Sequence, residues 1–119
     1  MSIATLAGLR AYCALKPGAR ETYPFGPETP VFKVAGKMFA LASAGEGSLS
    51  LSLKCEPDLA ELLRDKYAAV TPGYHLNKRH WNSIKLDGSL PEAEVRELID
   101  LSYELVVAGL SRKLRAALA

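Results

Sequence analysis

The stretch VFKVAGKMFALASAGEGSLSLSLK, residues Val31 to Lys54, decides the fold, because it reads as three β-strands in succession. Apolar, β-prone runs flank Gly36. The spacing predicts a tight hairpin whose two turn residues are Gly36 and Lys37, with Gly first as a type II′ turn requires. AGEGS then forms a loop. In SLSLSLK the alternation is strict: Leu49, Leu51 and Leu53 face one way while Ser50, Ser52 and Lys54 face the other. One side of this sheet is core and the other is wet.

Working outward, ETYPFGPETP just upstream contains Pro24, Pro27 and Pro30, each without a backbone donor, so this passage is at most an edge strand or extended loop. Before it, residues 2–16 set Ile3, Leu6, Leu9 and Cys13 at three- and four-residue steps, and Pro17-Gly18 ends an amphipathic first helix. Downstream, Pro57 suits a first helical turn. Glu56, Asp58 and Glu61 suit the positive end of that second helix, Arg64 and Lys66 the other end, and Leu59, Leu62 and Leu63 form its buried stripe. TPGY breaks the chain between Val70 and His75. HWNSIKLD alternates again, with Ile84 and Leu86 on the face opposite Trp81, Ser83 and Lys85.

Ser89 and Glu92 match the S-x-x-E capping box ahead of a long helix that carries Val95, Leu98, Ile99, Ser102, Leu105 and Val106 on one side and ends at Gly109. Residues 110–119 make a short basic helix or tail. The order of elements implies one α+β domain over residues 1–119, an antiparallel sheet with helices packed on one face and the other face partly open.

Composition agrees with a single soluble domain. The chain has 119 residues, of which 49% are apolar and 24% charged, enough to bury a two-layer core without disulfide staples. Cys13 and Cys55 stand far apart without CxxC spacing and read as small buried apolar residues. The opening residues lack the pattern of a secretory leader. The longest apolar stretches, Met38 to Ala42 and Leu105 to Leu110, fall far short of the roughly 20 residues of a membrane helix. The expectation is a cytoplasmic monomer without a membrane partner.

Charge is distributed unevenly. Lys78, Arg79 and Lys85 give +3 between residues 74 and 86, with no acid among them. The long helix opposes this, since Glu92, Glu94, Glu97, Asp100 and Glu104 against Arg96 give −4. Anionic partners should prefer the strand-and-loop side, where the wet sheet face also carries Lys33, Ser50, Ser52, Lys54, Trp81 and Ser83. His75 and His80 have no Cys, Asp or Glu nearby at ligand spacing, so no metal is expected. Nucleophile elbow, phosphate loop, dinucleotide fingerprint and HExxH helix are all missing from the sequence, so neither an enzyme nor a cofactor is expected. Tyr23, Tyr74 and Tyr103 read as core residues with one satisfied hydroxyl each.

From Tyr74 to Pro91, YHLNKRHWNSIKLDGSLP resembles the MmcQ/YjbR family of small bacterial proteins. The Pro24-Phe25-Gly26 element, the VFKVAGKMFAL hairpin, LSLK leading into a Pro-containing helix, and LIDLSYELV follow in the family's order, covering about residues 3–110. The resemblance implies a CyaY-like fold, related in shape to the frataxin iron-binding proteins, and a "double wing" role in DNA binding. The positions that match its signature are His75, Leu76, Asn77, Lys78, His80, Trp81, Leu86, Asp87 and Gly88. To these the hairpin side adds Pro24, Phe25, Gly26, Lys33, Gly36 and Phe39.

Combined with the charge pattern, Lys33, Lys54, Lys78, Arg79 and Lys85 are the expected phosphate contacts. His75, Asn77 and Trp81 are the expected base or ligand contacts. A frataxin-like iron site lacks its ligands, because the first helix has Arg10 and Lys16 and no carboxylate. DNA is the expected partner. The alternative is a protein or small-ligand interaction module using a groove between the Pro24 to Pro30 loop and the segment around His75 to Trp81.

Overall fold

The chain runs α1 (Leu6–Ala14), β1 (Ala19–Thr22), β2 (Val31–Val34), β3 (Lys37–Ser43), β4 (Ser50–Lys54), α2 (Pro57–Lys66), β5 (Val70–Pro72), β6 (Trp81–Lys85), α3 (Glu92–Ala108) and α4 (Arg112–Ala116). This computed structural model describes residues 2–44, 48–74 and 76–118. Residues 45–47 of the expected AGEGS loop lie outside the described residues. The strands form one antiparallel sheet in the order β1-β2-β3-β4-β6-β5, as the α+β reading requires.

One face of the sheet is covered by helices. Phe32, Val34, Phe39, Ala40, Ala42, Leu51, Leu53, Val70 and Ile84 project from the strands to meet Leu9 and Cys13 of α1, Ala60 and Leu63 of α2, and Val95, Leu98, Ile99 and Val106 of α3. Phe39 sits at the centre of this layer, edge-on to Tyr103 of α3 with ring centroids 5.3 Å apart. Each large side chain buried in this way stabilises the fold by roughly 1.5–3 kcal/mol. Cys13 and Cys55 are buried free thiols, and burial pushes the Cys13 thiol up to about 12.

The hairpin between β2 and β3 forms, but its turn lies one residue earlier than the expected Gly36-Lys37. Val34 pairs with Lys37, so Ala35 and Gly36 make the turn with φ of 50° and 79°. Positive φ at both central residues is the type I′ geometry, whose twist suits flanking strands as well as type II′ does. Farther along the same pair, the register shifts between Phe32 and Lys33, which leaves Phe39 as an extra, bulged residue on β3.

At the bulge, Ser102 of α3 repairs the ladder. Ala40 pairs with Leu53, so a regular sheet would run the Lys54 amide straight to the Phe39 carbonyl. Instead the Ser102 hydroxyl stands between them, donating to the Phe39 carbonyl at 2.6 Å and accepting from the Lys54 amide at 2.9 Å.

Other expectations shift for local reasons. The TPGY break contains a short strand, β5, with Pro72 at its end, which an outer strand tolerates. Leu62 is 61% exposed rather than buried, because Ala60 and Leu63 define the inward line of α2. Leu105 is likewise only partly covered, at the rim of α3.

The capping box does not form. Pro91 is the N-cap of α3, the Ser89 amide and hydroxyl both turn back to Asp87 Oδ1, and the Glu92 carboxylate accepts from the Ser2 hydroxyl. Among the tyrosines, Tyr103 reaches the Pro17 carbonyl from a partly buried position, but Tyr23 and Tyr74 are exposed. At the C-terminal end Ser111 caps α4, and Leu118 packs against the core.

Candidate nucleic-acid interface

The strand register fixes which side chains share the uncovered face. Near one end of the sheet, Arg20 on β1 pairs with Lys33 on β2, Lys33 pairs with Met38 on β3, and Lys54 on β4 pairs with Trp81 on β6. A neutral row follows: Thr22, Val31, Leu41, Ser52, Ser83 and Thr71. Beyond it Ser43, Ser50 and Lys85 make a third row. Cations therefore gather in one line across the strands, with Lys85 as an outlier.

The sequence-predicted residues Lys33, Lys54, Trp81 and Lys85 are thus brought to one face. Asn77, Lys78 and Arg79 lie in the adjoining loop, and His75 is outside the described residues. Arg20, Met38, Leu41 and Thr71 were not anticipated. Arg20 lies in a strand that abuts the Pro-rich passage, and the bulge at Phe39 puts Met38 and Leu41 on one face although they are three residues apart.

Trp81 is half-buried and its setting is constrained from several sides. The Gly73 amide bonds to the Trp81 carbonyl at 2.8 Å, and a Cβ at Gly73 would lie 2.7 Å from the Trp81 Cβ, so only glycine lets the loop approach this closely. Arg64 of α2 reaches through to the same strand. It donates to the Trp81 carbonyl at 3.3 Å, to Asn82 Oδ1 at 2.6 Å and to the Lys78 carbonyl. Asn82 is buried on the helix side and also donates to the Ala60 carbonyl at 3.3 Å.

The loop before Trp81 closes on itself. Lys78 donates its ammonium to the Gly73 carbonyl at 3.0 Å, and Asn77 Oδ1 accepts from the Arg79 amide at 3.0 Å. Lys78 and Asn77 therefore shape this loop, a role in addition to the contacts expected of them. On the sheet face, the Ser52 and Ser83 hydroxyls bond each other at 2.8 Å, and Ser83 also accepts from the Tyr74 amide at 3.1 Å.

Electrostatics separates the two sides. Among the described residues, Arg20, Lys33, Lys54 and Lys85 form no ion pair, whereas Arg10 with Glu21 and Lys16 with Asp100 pair on the helical side. The acidic surface of α3 is partly neutralised there, and Tyr12 adds a hydrogen bond to Asp100 at 2.7 Å.

Among the described residues, the Pro24 to Pro30 loop and the segment leading to Trp81, expected to flank a groove, lie apart. The first joins β1 to β2 at one edge of the sheet. The second joins β5 to β6 near the other edge, at the opposite end of the strands. An apolar pocket of about 80 Å³ does occur, between α2 and α3 and lined by Cys55, Leu59, Leu63, Leu98 and Leu101 among others. It is small beside the roughly 300 Å³ or more of ordinary ligand sites. Among the described residues there is neither a group of three metal-ligating side chains nor a helix long and apolar enough to cross a membrane.

A six-stranded antiparallel sheet with helices on one side and an unpaired cationic row on the other defines a small α+β protein with an open, basic sheet face. The chain belongs to the YjbR family, whose model matches residues 14–105. It is 40% identical over 114 residues to the uncharacterized protein YjbR of Escherichia coli K12, covering 96% of this chain and 97% of that one. The uncharacterized protein YbdF of E. coli O157:H7 is 43% identical over 97 residues, covering 82% and 80% respectively.

Among solved structures, the crystal structure of Deinococcus radiodurans DR2400, with its DUF419 domain, is similar at a TM-score of 0.90 and 41% identity. That match covers 98% of this chain and 88% of the other. A Pseudomonas syringae crystal structure is similar at a TM-score of 0.75 and 27% identity, covering 85% of this chain and 97% of that one.

Proposed function

We propose that this protein is a non-enzymatic, cytoplasmic DNA-binding domain that acts as a monomer and holds phosphates on its open sheet face while reading little sequence. The observation that carries the reading is the set Arg20, Lys33, Lys54 and Lys85 on one face, without ion pairs among the described residues. Desolvating an already paired lysine gains little, but an unpaired one is free to replace the counterions condensed on a phosphate backbone. Placing the acids of α3 on the far side keeps the potential of the open face positive.

The test is a titration of the single tryptophan, Trp81, with DNA at about 50 and 200 mM salt. Emission should change to saturation, and affinity should fall by about 0.9 log unit per log unit of salt for each of about three to five duplex phosphate contacts. The double variant Lys33→Glu with Lys85→Glu should abolish binding. Unchanged affinity at equal salt removes this surface from consideration.

A further inference from the structure

We propose that the DNA held on this face is single-stranded and lies across the strands along the row Trp81, Lys54, Lys33 and Arg20. This inference rests on the DNA reading above and narrows it to one form of the ligand.

Shape comes first. Six strands at about 4.8 Å spacing make a face about 24 Å across, whereas the major groove, about 12 Å wide, admits a helix or a two-stranded ribbon. A broad sheet therefore reaches beyond a duplex's phosphates only by opening and bending its minor groove, at a cost in unstacking. A single strand has no such restriction and can lie flat.

The arrangement of side chains points the same way. Cys55 N–H bonds the His80 carbonyl at 2.7 Å, which makes the next pair, Lys54 with Trp81, a non-hydrogen-bonded one. Such pairs bring their Cα atoms to about 4.5 Å, the closest approach in an antiparallel ladder. A cation and a large aromatic ring thus emerge side by side, as one nucleotide needs for its phosphate and its base.

Tyr74, 74% exposed, follows Gly73, the residue pressed against Trp81, and adds a second aromatic at this corner. Paired bases in a duplex offer no free face to these rings, and unpaired bases do. From Trp81 the row continues past Met38 to Lys33 and Arg20, four strand spacings or about 19 Å. That length suits about four nucleotides, the lower end of what sheet-based single-strand modules hold.

The experiment is fluorescence anisotropy of labelled dT4, dT8 and dT16 and of an eight-base-pair duplex, all with the full chain at the same salt. The expected result is dT8 binding at least about tenfold tighter than the duplex, with little gain from dT4 to dT16 in affinity per site. Trp81→Phe should keep binding within about threefold, while Trp81→Ala should weaken it by about tenfold or more. Lys54→Ala, which leaves the amide that Ser102 holds in place, should weaken it without changing the fold.

Duplex binding as tight as dT8, or tighter, overturns the single-strand inference and leaves the DNA reading standing. Binding of neither ligand overturns both. Affinity that rises steadily to dT16 overturns the assignment to this row.

Discussion

On β4, Leu51 and Leu53 face the helices while Ser52 and Lys54 face outward, and the two sides are held by different forces. On the covered side, burial is near complete, and the polar exceptions Asn82 and Ser102 have their hydrogen bonds satisfied inside the protein. On the open side Val31 and Ser52 are buried in the middle row, where the Ser52 and Ser83 hydroxyls bond each other, while Arg20 and Lys85 are exposed and Lys33 and Lys54 half-buried. On the proposed DNA reading, stability and recognition fall on opposite faces of the same sheet, so substitutions should separate the two properties.

The largest effect expected is from Phe39→Ala. Removing this fully buried ring should cost about 3–5 kcal/mol in urea unfolding, and a smaller loss than that from any open-face variant breaks the contrast. Next is Ser102→Ala, which leaves the Lys54 amide and the Phe39 carbonyl without their shared partner. A loss of about 1–3 kcal/mol is expected in the same measurement.

Gly73→Ala should cost about 1–3 kcal/mol, because the new Cβ collides with Trp81. Its readout is distinctive: a shift in Trp81 emission in the free protein, which a mere loss of stability does not produce.

Ala35→Asn should stabilise by about 1 kcal/mol, since Asn tolerates the left-handed backbone that Ala35 now occupies and Asn-Gly is the favoured type I′ pair. Smallest of all are Lys33→Ala and Lys54→Ala, each expected within about 0.5 kcal/mol in unfolding, although on the proposed reading both should weaken DNA binding. A stability loss comparable to that of Ser102→Ala would show that the open face also holds the fold together.

Much of this division was legible in the sequence because strand alternation has period two. SLSLSLK and HWNSIKLD assign Ser50, Ser52, Lys54, Trp81, Ser83 and Lys85 to one face, as the register has them, although Ser52 is buried there and not wet. Where the period breaks, the reading fails. The bulge at Phe39 hid Met38 and Leu41, and a strand of four residues beside a Pro-rich loop hid Arg20.

The separation of the two groove segments is not legible in the sequence for a different reason. Two segments can each be read locally, but their separation depends on β6 entering the sheet between β4 and β5, an arrangement made by nonlocal pairing. Ser102 was placed correctly on the buried stripe, yet its bridging role needed the bulge to be known. Likewise Leu62 and the unused capping box show sequence patterns that packing and an N-cap proline override.

The Ser102 bridge makes one backbone amide answer to the helix layer and not to its neighbouring strand. Ladder amides of β4 remain protected from exchange with deuterium as long as the sheet is intact, but the Lys54 amide is protected only while α3 is seated on it. If the helix lifts as a unit before the sheet opens, this amide exchanges early while those of Leu51 and Leu53 stay slow. Lys54 thereby carries, on its nitrogen, a record of motion in the layer behind the sheet and, on its side chain, the charge that faces the solvent in front.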